Sequence, residues 1–383
     1  MVRFLIIMIL IFPYSSWSYL SFGNASDDCN WATDKTLEKA VWNCDGIFVA
    51  STATIDVDLN EVKDPIQLRS QGNVVIEGII NISATTTLPG PGGGRGANCG
   101  AGVCNNVNAP GSTTGEGQGA SAGDGGGFGA ANGGGGGGAG YFSTGDNGVA
   151  GVGGGGLSDG ALGSGGSAFV TVNSLSTSLQ GAPGGGGGGS GDDDTFAETG
   201  AGGNGGNGSG SIAIISKGTI TIASGAQINA RGDSGKDGAS TTGGAEGGNG
   251  GSGAGGTVYL ISDQNISINN AVIDVEGGAA NTNGAGAAGG KGSDGIIRID
   301  TPNGTFSGSV NQNPGGVTVN TSTTPSSIID PLPLAEQQEL FESDIEAACT
   351  YRESINYELN IIIFLSSFFI SIFLLLKLNK LRW

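Results

Sequence analysis

Carboxylates are the main chemical resource of this chain. It carries 34 Asp and Glu against 15 Lys and Arg, has no histidine, and bears a formal net charge of -19. Without histidine the commonest general base and the commonest metal ligand are missing, which argues against hydrolytic triads and zinc chemistry. So negative a chain also lacks the positive footprint that a phosphate backbone requires, so nucleic acid is not an expected partner. What is left is acidic catalysis. Asp274, Glu276, Arg298 and Asp300 are its candidates if they share one neighbourhood on stacked coils, since carboxylates and basic residues on an outer strand face can cleave acidic polysaccharides. Solubilising surface charge explains them more simply, and no catalytic residue is assigned.

Other motifs resolve in the same way. Gly289 to Ile297 fits a calcium-binding nonapeptide, but the aspartate has Gly210 and Gly255 as its counterparts in the other copies, so the ligand oxygens do not repeat. Asp192, Asp193 and Asp194 read as a solvated acidic loop. Arg231-Gly232-Asp233 spells an adhesion tripeptide and is more simply a turn. No Lys-Ser/Thr follows a glycine tract, so no phosphate-cradling loop is present. No cofactor or metal is expected. Cys29 with Cys44, and Cys99 with Cys104, are the expected local disulfides of an oxidising compartment, which leaves Cys349 over. Asn-x-Ser/Thr acceptors stand at Asn24, Asn81, Asn207, Asn265, Asn303 and Asn320.

The two ends carry an address. A basic start at Arg3, an apolar run from Phe4 to Phe12 and the small residues Ser16 and Ser18 mark residues 1–18 as a cleaved signal peptide. Residues 359–377 form an apolar run that reads as a single transmembrane helix. The basic tail 378–383 would keep its end inside, placing the N-terminal portion outside the cell. A processed sorting signal is the alternative reading of this C-terminus.

The elements between these ends must be built from a chain with 79 glycines and only 6% aromatic residues. Residues 19–90 read as an N-terminal cap and first strands, with a helical stretch expected around Thr36 to Trp42. Ile66-Gln67-Leu68 and Val74 to Ile82 alternate as strands do. A Gly-rich region, 91–165, follows. From 166 to 320 a frame recurs: Gly205 to Ala213, Gly250 to Val258 and Gly289 to Ile297 each run into a strand, with a looser copy at Gly165 to Val172. Beyond it, Ile220-Thr221-Ile222 matches Ile266-Ser267-Ile268, and Ile228 matches Ile273 after a one-residue slip. Three short strands per unit cannot bury a face alone, so copies must stack. The expected fold is all-β: a parallel β-helix, or β-solenoid, with Ile and Val inward and Thr221, Ser267 and Asp274 outward. Its glycine-rich insertions would pack as polyproline-II-like strands. Residues 321–358 read as a linker and a C-terminal stalk helix.

The run from Gly205 through Ser211-Ile212-Ala213-Ile214-Ile215, with Gly218-Thr219-Ile220-Thr221-Ile222 and Gly225 to Ala230, resembles the glycine-rich β-helical repeats of microbial surface proteins and adhesins. The glycine tracts are also similar to polyglycine layers in some phage tail adhesins and in an animal receptor kinase ectodomain. The resemblance implies a membrane-anchored structural or adhesive role at the cell surface, with an extracellular matrix or carbohydrate partner and an oligomeric state left open. Two alternatives are a polysaccharide-processing lyase or hydrolase on the same scaffold and an orphan receptor ectodomain.

Overall fold

A computed structural model describes residues 24–97, 133–151, 160–168, 170, 179–192, 199–241, 245–284, 286–301, 304–313 and 319–322. The signal peptide, Cys99, Cys104, Cys349, the stalk and the transmembrane segment at 359–377 all lie outside the described residues. No helix among the described residues is long and apolar enough to cross a membrane.

The described chain is all-β. Its first strands are β1 (Asn30–Trp31), β2 (Lys35–Leu37), β3 (Val41–Cys44), β4 (Ile47–Val49), β5 (Thr54–Val57), β6 (Ile66–Ser70), β7 (Val74–Ile76) and β8 (Ile79–Asn81). A small antiparallel pair, β9 (Gly191–Asp192) and β10 (Thr199–Gly200), lies within the glycine-rich stretch. Then come β11 (Ser211–Ser216), β12 (Ile220–Ile222), β13 (Gln227–Asn229), β14 (Thr257–Ser262), β15 (Ile266–Asp274), β16 (Ile296–Asp300), β17 (Phe306–Asn313) and β18 (Val319–Ser322).

Two parallel sheets hold these strands. One has six, in the order β18-β16-β14-β11-β6-β3; the other has ten, built around β12, β15 and β13. The chain visits the first sheet, then the second, and returns one layer higher, an arrangement compatible with a β-solenoid. The recurring frames stack as their spacing requires: Ile212 faces Val258, and Val258 faces Ile297. Ile66 lies beneath them, paired with Ile212. Ile220 meets Ile266, and Ile228 meets Ile273. All these side chains are fully buried. Each contributes about 1.5–3 kcal/mol relative to exposure.

The one-residue slip has a local cause. One coil turns its corner at Gly225 with φ 86°, and the next turns at Asn270 with φ 56°, using one residue fewer. Gly and Asn are the residues that tolerate this left-handed conformation. Because Asn270 turns within a continuous ladder, the second unit has one long strand, β15, where two short ones were expected.

Two sequence expectations are corrected. The stretch Thr36 to Trp42 is not helical: it contains the end of β2, a bend and the start of β3. Trp42 pairs with Leu68 and Cys44 with Ser70, so tertiary pairing overrides the local helix formers. The cap is thereby continuous with the stack, closed by Trp31 set edge-on to Trp42 and by Lys39 over the Trp42 ring. The looser frame copy at Gly165 has no strand among its described residues, because Gly166 is hydrogen-bonded into the glycine tracts instead.

Those tracts leave the stack between β8 and β11, between β13 and β14, and between β15 and β16, and they bind one another backbone to backbone. Within 246–254 the direction of donation rotates. Gly247, Gly250 and Gly253 donate to the carbonyls of Ala239, Lys236 and Asp233; Gly248, Gly251 and Ala254 donate to Gly189, Gly186 and Pro183; Asn249 and Ser252 donate to Ala287 and Gly290. The direction returns every third residue, which requires three residues per turn. Glycine is needed wherever a neighbour lies in that direction. In the run Gly133 to Gly138, a Cβ on Gly134 or Gly137 would meet the carbonyls of Ala161 and Ser164, and on Gly135 or Gly138 those of Ala288 and Lys291, all at 1.8–1.9 Å. Gly133 and Gly136 are closed off by Gly189 and Gly186.

Tyr141 joins this layer to the stack. Fully buried, it donates to the Gln180 carbonyl and lies 2.7 Å from the Thr257 hydroxyl. Ser211 donates to the same carbonyl. Burial raises the Tyr141 pKa above 10.0, with the Thr257 and Ser211 hydroxyls pulling the other way.

Two tests follow from this packing. Gly137→Ala should destabilise the protein by about 3 kcal/mol, the upper end for overpacking, since backbone blocks the new methyl. The exposed control Ala161→Gly should change stability by less than about 1 kcal/mol in the same thermal melts. For Tyr141, the neutral phenol favoured by the fold is fully present below pH 10, and its stabilisation is lost as pH rises from 10 toward the raised folded value. Alkaline unfolding curves should therefore be shallower for Tyr141→Phe.

Candidate functional site

The candidate carboxylates occupy two different sheets. At the end of β15, Asp274 lies 3.5 Å from the Arg231 guanidinium, and Glu276 accepts from Arg231 at 2.9 Å. Arg231 is half exposed, whereas Asp274 is only 8% exposed, so the expected outward, solvated Asp274 is in fact covered by its partner. The arginine side chain reaches one coil up the stack because β13 and β15 are in register through Asn229 and Asp274.

Asp300 and Arg298 lie on β16, in the other sheet. Arg298 binds Asp300 through Nε at 3.1 Å and through its terminal nitrogen at 2.9 Å; their side chains are 6% and 1% exposed, respectively. Tyr259, directly beside Arg298 on β14, donates its hydroxyl to Asp300, and the guanidinium stands 5.0 Å from the ring centroid. Strand alternation puts Tyr259 and Ile261 on one face with Ala213 and Ile215, and that face is itself buried, with Leu179 packed on it. The shared neighbourhood of Asp274, Glu276, Arg298 and Asp300 is therefore not formed. Each carboxylate is bound to an arginine, an arrangement that orders strands.

The remaining motifs are similarly engaged. Arg231 of the Arg-Gly-Asp tripeptide is held by Asp274 and Glu276, and Asp233 is held by Lys236 at 2.6 Å. Asp294 of the nonapeptide accepts from the Gly277 N–H and from Lys291, each at 3.1 Å. Among the described residues no cluster of three or more His, Cys, Asp or Glu could hold a metal. Asp192 belongs to β9, while Asp193 and Asp194 lie outside the described residues. Cys29 and Cys44 form a disulfide with Cα atoms 5.8 Å apart. With a separation of 15 residues it contributes about 3 kcal/mol by loop-closure entropy.

The six glycosylation acceptors differ in surroundings. Asn24 and Asn265 are exposed, Asn81 is half buried on β8, and Asn207 is buried at 7% exposure. Asn320 is on β18, and Asn303 lies outside the described residues.

Sequence reasoning missed the side chains that complete the glycine layer. Asn249 and Ser252 occupy the third place of successive Gly-Gly-x triplets and are fully buried. Asn249 accepts from the Gly238 N–H and donates to the Asn281 carbonyl; Ser252 accepts from the Gly235 N–H and donates to the Ala279 carbonyl. Each side chain bridges two neighbouring backbones, Gly238 to Asn281 and Gly235 to Ala279. The period of three in Gly-Gly-x was the available signal.

Comparison with protein-family models, curated proteins and solved structures returns no match.

The two ion-pair clusters should separate sharply in denaturant titrations. Arg298→Met leaves a buried carboxylate without its cation and should cost about 3–5 kcal/mol. Arg231→Ala, at a half-exposed position, should cost about 1 kcal/mol or less.

Proposed function

We propose that this chain is a membrane-anchored extracellular surface protein whose β-solenoid, with polyproline-II-like glycine strands, serves a structural or adhesive role. The observation that carries this reading is the three-residue hydrogen-bond period running through the glycine tracts. Backbones that bond neighbours in several directions form a stiff body from a chain with few large side chains. A stiff body projected from a membrane can hold a surface layer together or present a binding face.

The internal use of charge supports the same reading. Asp274, Glu276 and Asp300 are spent on Arg231 and Arg298, and the Cys29–Cys44 bridge suits an oxidising exterior. The proposed arrangement places residues 1–18 as the removed leader, residues 359–377 across the membrane and the glycine-rich portion outside. Its partner would be a cell-surface, matrix or carbohydrate component.

The deciding experiment combines limited proteolysis of the full chain in detergent with a carbohydrate panel scored for both binding and turnover. A protease-resistant core, with binding but no turnover, is the expected result. Turnover of an acidic polysaccharide that disappears in Asp274→Asn or Asp300→Asn would replace the scaffold with a carbohydrate-processing enzyme. Rapid digestion through the glycine tracts would remove the rigid body on which the reading depends.

A further inference from the structure

An asparagine can keep an N-linked glycan in the folded state only if its Nδ2 faces solvent, with room for the sugar in place of one of its two amide protons. In the transfer, a sugar C1–O bond to a diphosphate leaving group breaks and a C1–Nδ2 bond forms. The amide proton passes to a base of the transferase. The product amide keeps its oxygen as an acceptor but carries a bulky group on nitrogen. This requirement divides acceptors that the sequence motif treats alike.

Asn265 meets it. Its Oδ1 accepts from the Thr305 N–H at 2.9 Å and from the Thr305 hydroxyl at 3.0 Å, in the coil above. Its backbone carbonyl accepts from the Ile220 N–H at 2.9 Å, in the coil below. The residue sits at the exposed corner between β14 and β15, and among the described residues its Nδ2 has no hydrogen-bond partner. The amide is thus oriented by its oxygen, with nitrogen outward.

Asn207 fails it by burial. Its Nδ2 donates to the Thr85 carbonyl at 2.9 Å, its Oδ1 accepts from the Gly96 N–H at 3.0 Å, and it is buried where those backbone segments meet. It does for its glycine triplet what Asn249 does for the next.

We infer that Asn265 is an N-glycosylation site of the folded protein, and that Asn207, despite its motif, is a structural asparagine that stays unmodified. The inference rests on the proposed export of this portion of the chain. A glycan at Asn265 would project from the corner of the stack, away from the glycine layer. One at Asn207 would displace Thr85 and Gly96 and keep the layer from closing.

The test is secretion-pathway expression of the full chain in a eukaryotic host that N-glycosylates, followed by site-by-site mass spectrometry of the protease-resistant fraction. Asn265 should be occupied, and Asn207 should not. Asn265→Gln and Ser267→Ala should each remove one glycan step in gel mobility. Ser267→Ala retains the amide bonds to Thr305, so the loss cannot be ascribed to misfolding. Glycan on Asn24 with none on Asn265 would overturn the inference while leaving export intact, as would glycan on Asn207 in the resistant fraction. A chain that retains residues 1–18 and carries no glycan anywhere would overturn export, and this inference with it.

Discussion

Backbone-to-backbone hydrogen bonding without intervening Cβ atoms is the constraint on which this molecule depends. A buried N–H or C=O must find a partner, and a chain so rich in glycine has few side chains to offer. In the tract 246–254, successive N–H groups go to three different neighbours, so each backbone supplies what the next one needs. The same geometry explains why a methyl is forbidden at Gly133 to Gly138, where carbonyls occupy the space a side chain would take. Ordering glycine is entropically expensive, and these bonds, with the dense packing they permit, are the available compensation.

The β-stack works by a different principle. Its interior is a ladder of Ile, Val and Leu, stabilised by burial of apolar area, and its strands bond only to the coils above and below. Two packings with different periods, two residues for the sheets and three for the glycine tracts, must therefore meet. They meet where Tyr141, Ser211 and Thr257 converge around the Gln180 carbonyl, hydroxyls reconciling backbones that share no register.

Charge is arranged to serve this construction. The buried Tyr259, Arg298 and Asp300 side chains bind one another on a covered sheet face, and Arg231 clasps Asp274 and Glu276 across one coil. Buried pairs of this kind contribute little net stability over apolar residues, but breaking one leaves a stranded charge, so they penalise misregistered coils. The N-terminal acid Asp27 belongs to the same pattern. Desolvation pushes its pKa up, yet the Lys39 hydrogen bond, the Asn43 N–H and the Lys39 charge together hold it below the usual value.

The stacking register was legible in the sequence because it is a local repetition: Ile212, Val258 and Ile297 each follow a glycine frame, and like residues stack in parallel ladders. The close approach of the glycine tracts was only half legible, since a run without side chains permits it but has equally the composition of a flexible linker, and the bonds between distant backbones decide between the two. The strand identity of Thr36 to Trp42 was not, because its Leu, Glu, Lys and Ala favour a helix until Leu68 and the Cys29 bridge claim Trp42 and Cys44. Nor could spacing show that Asp274 and Asp300 stand in different sheets, or that Asn207 is buried while Asn265 is open. Those outcomes depend on which segments, far apart in the chain, cover a given position. A local repeat determines what stacks on what, but solvent exposure and charge pairing are properties of the assembled neighbours, and only the tertiary structure decides them.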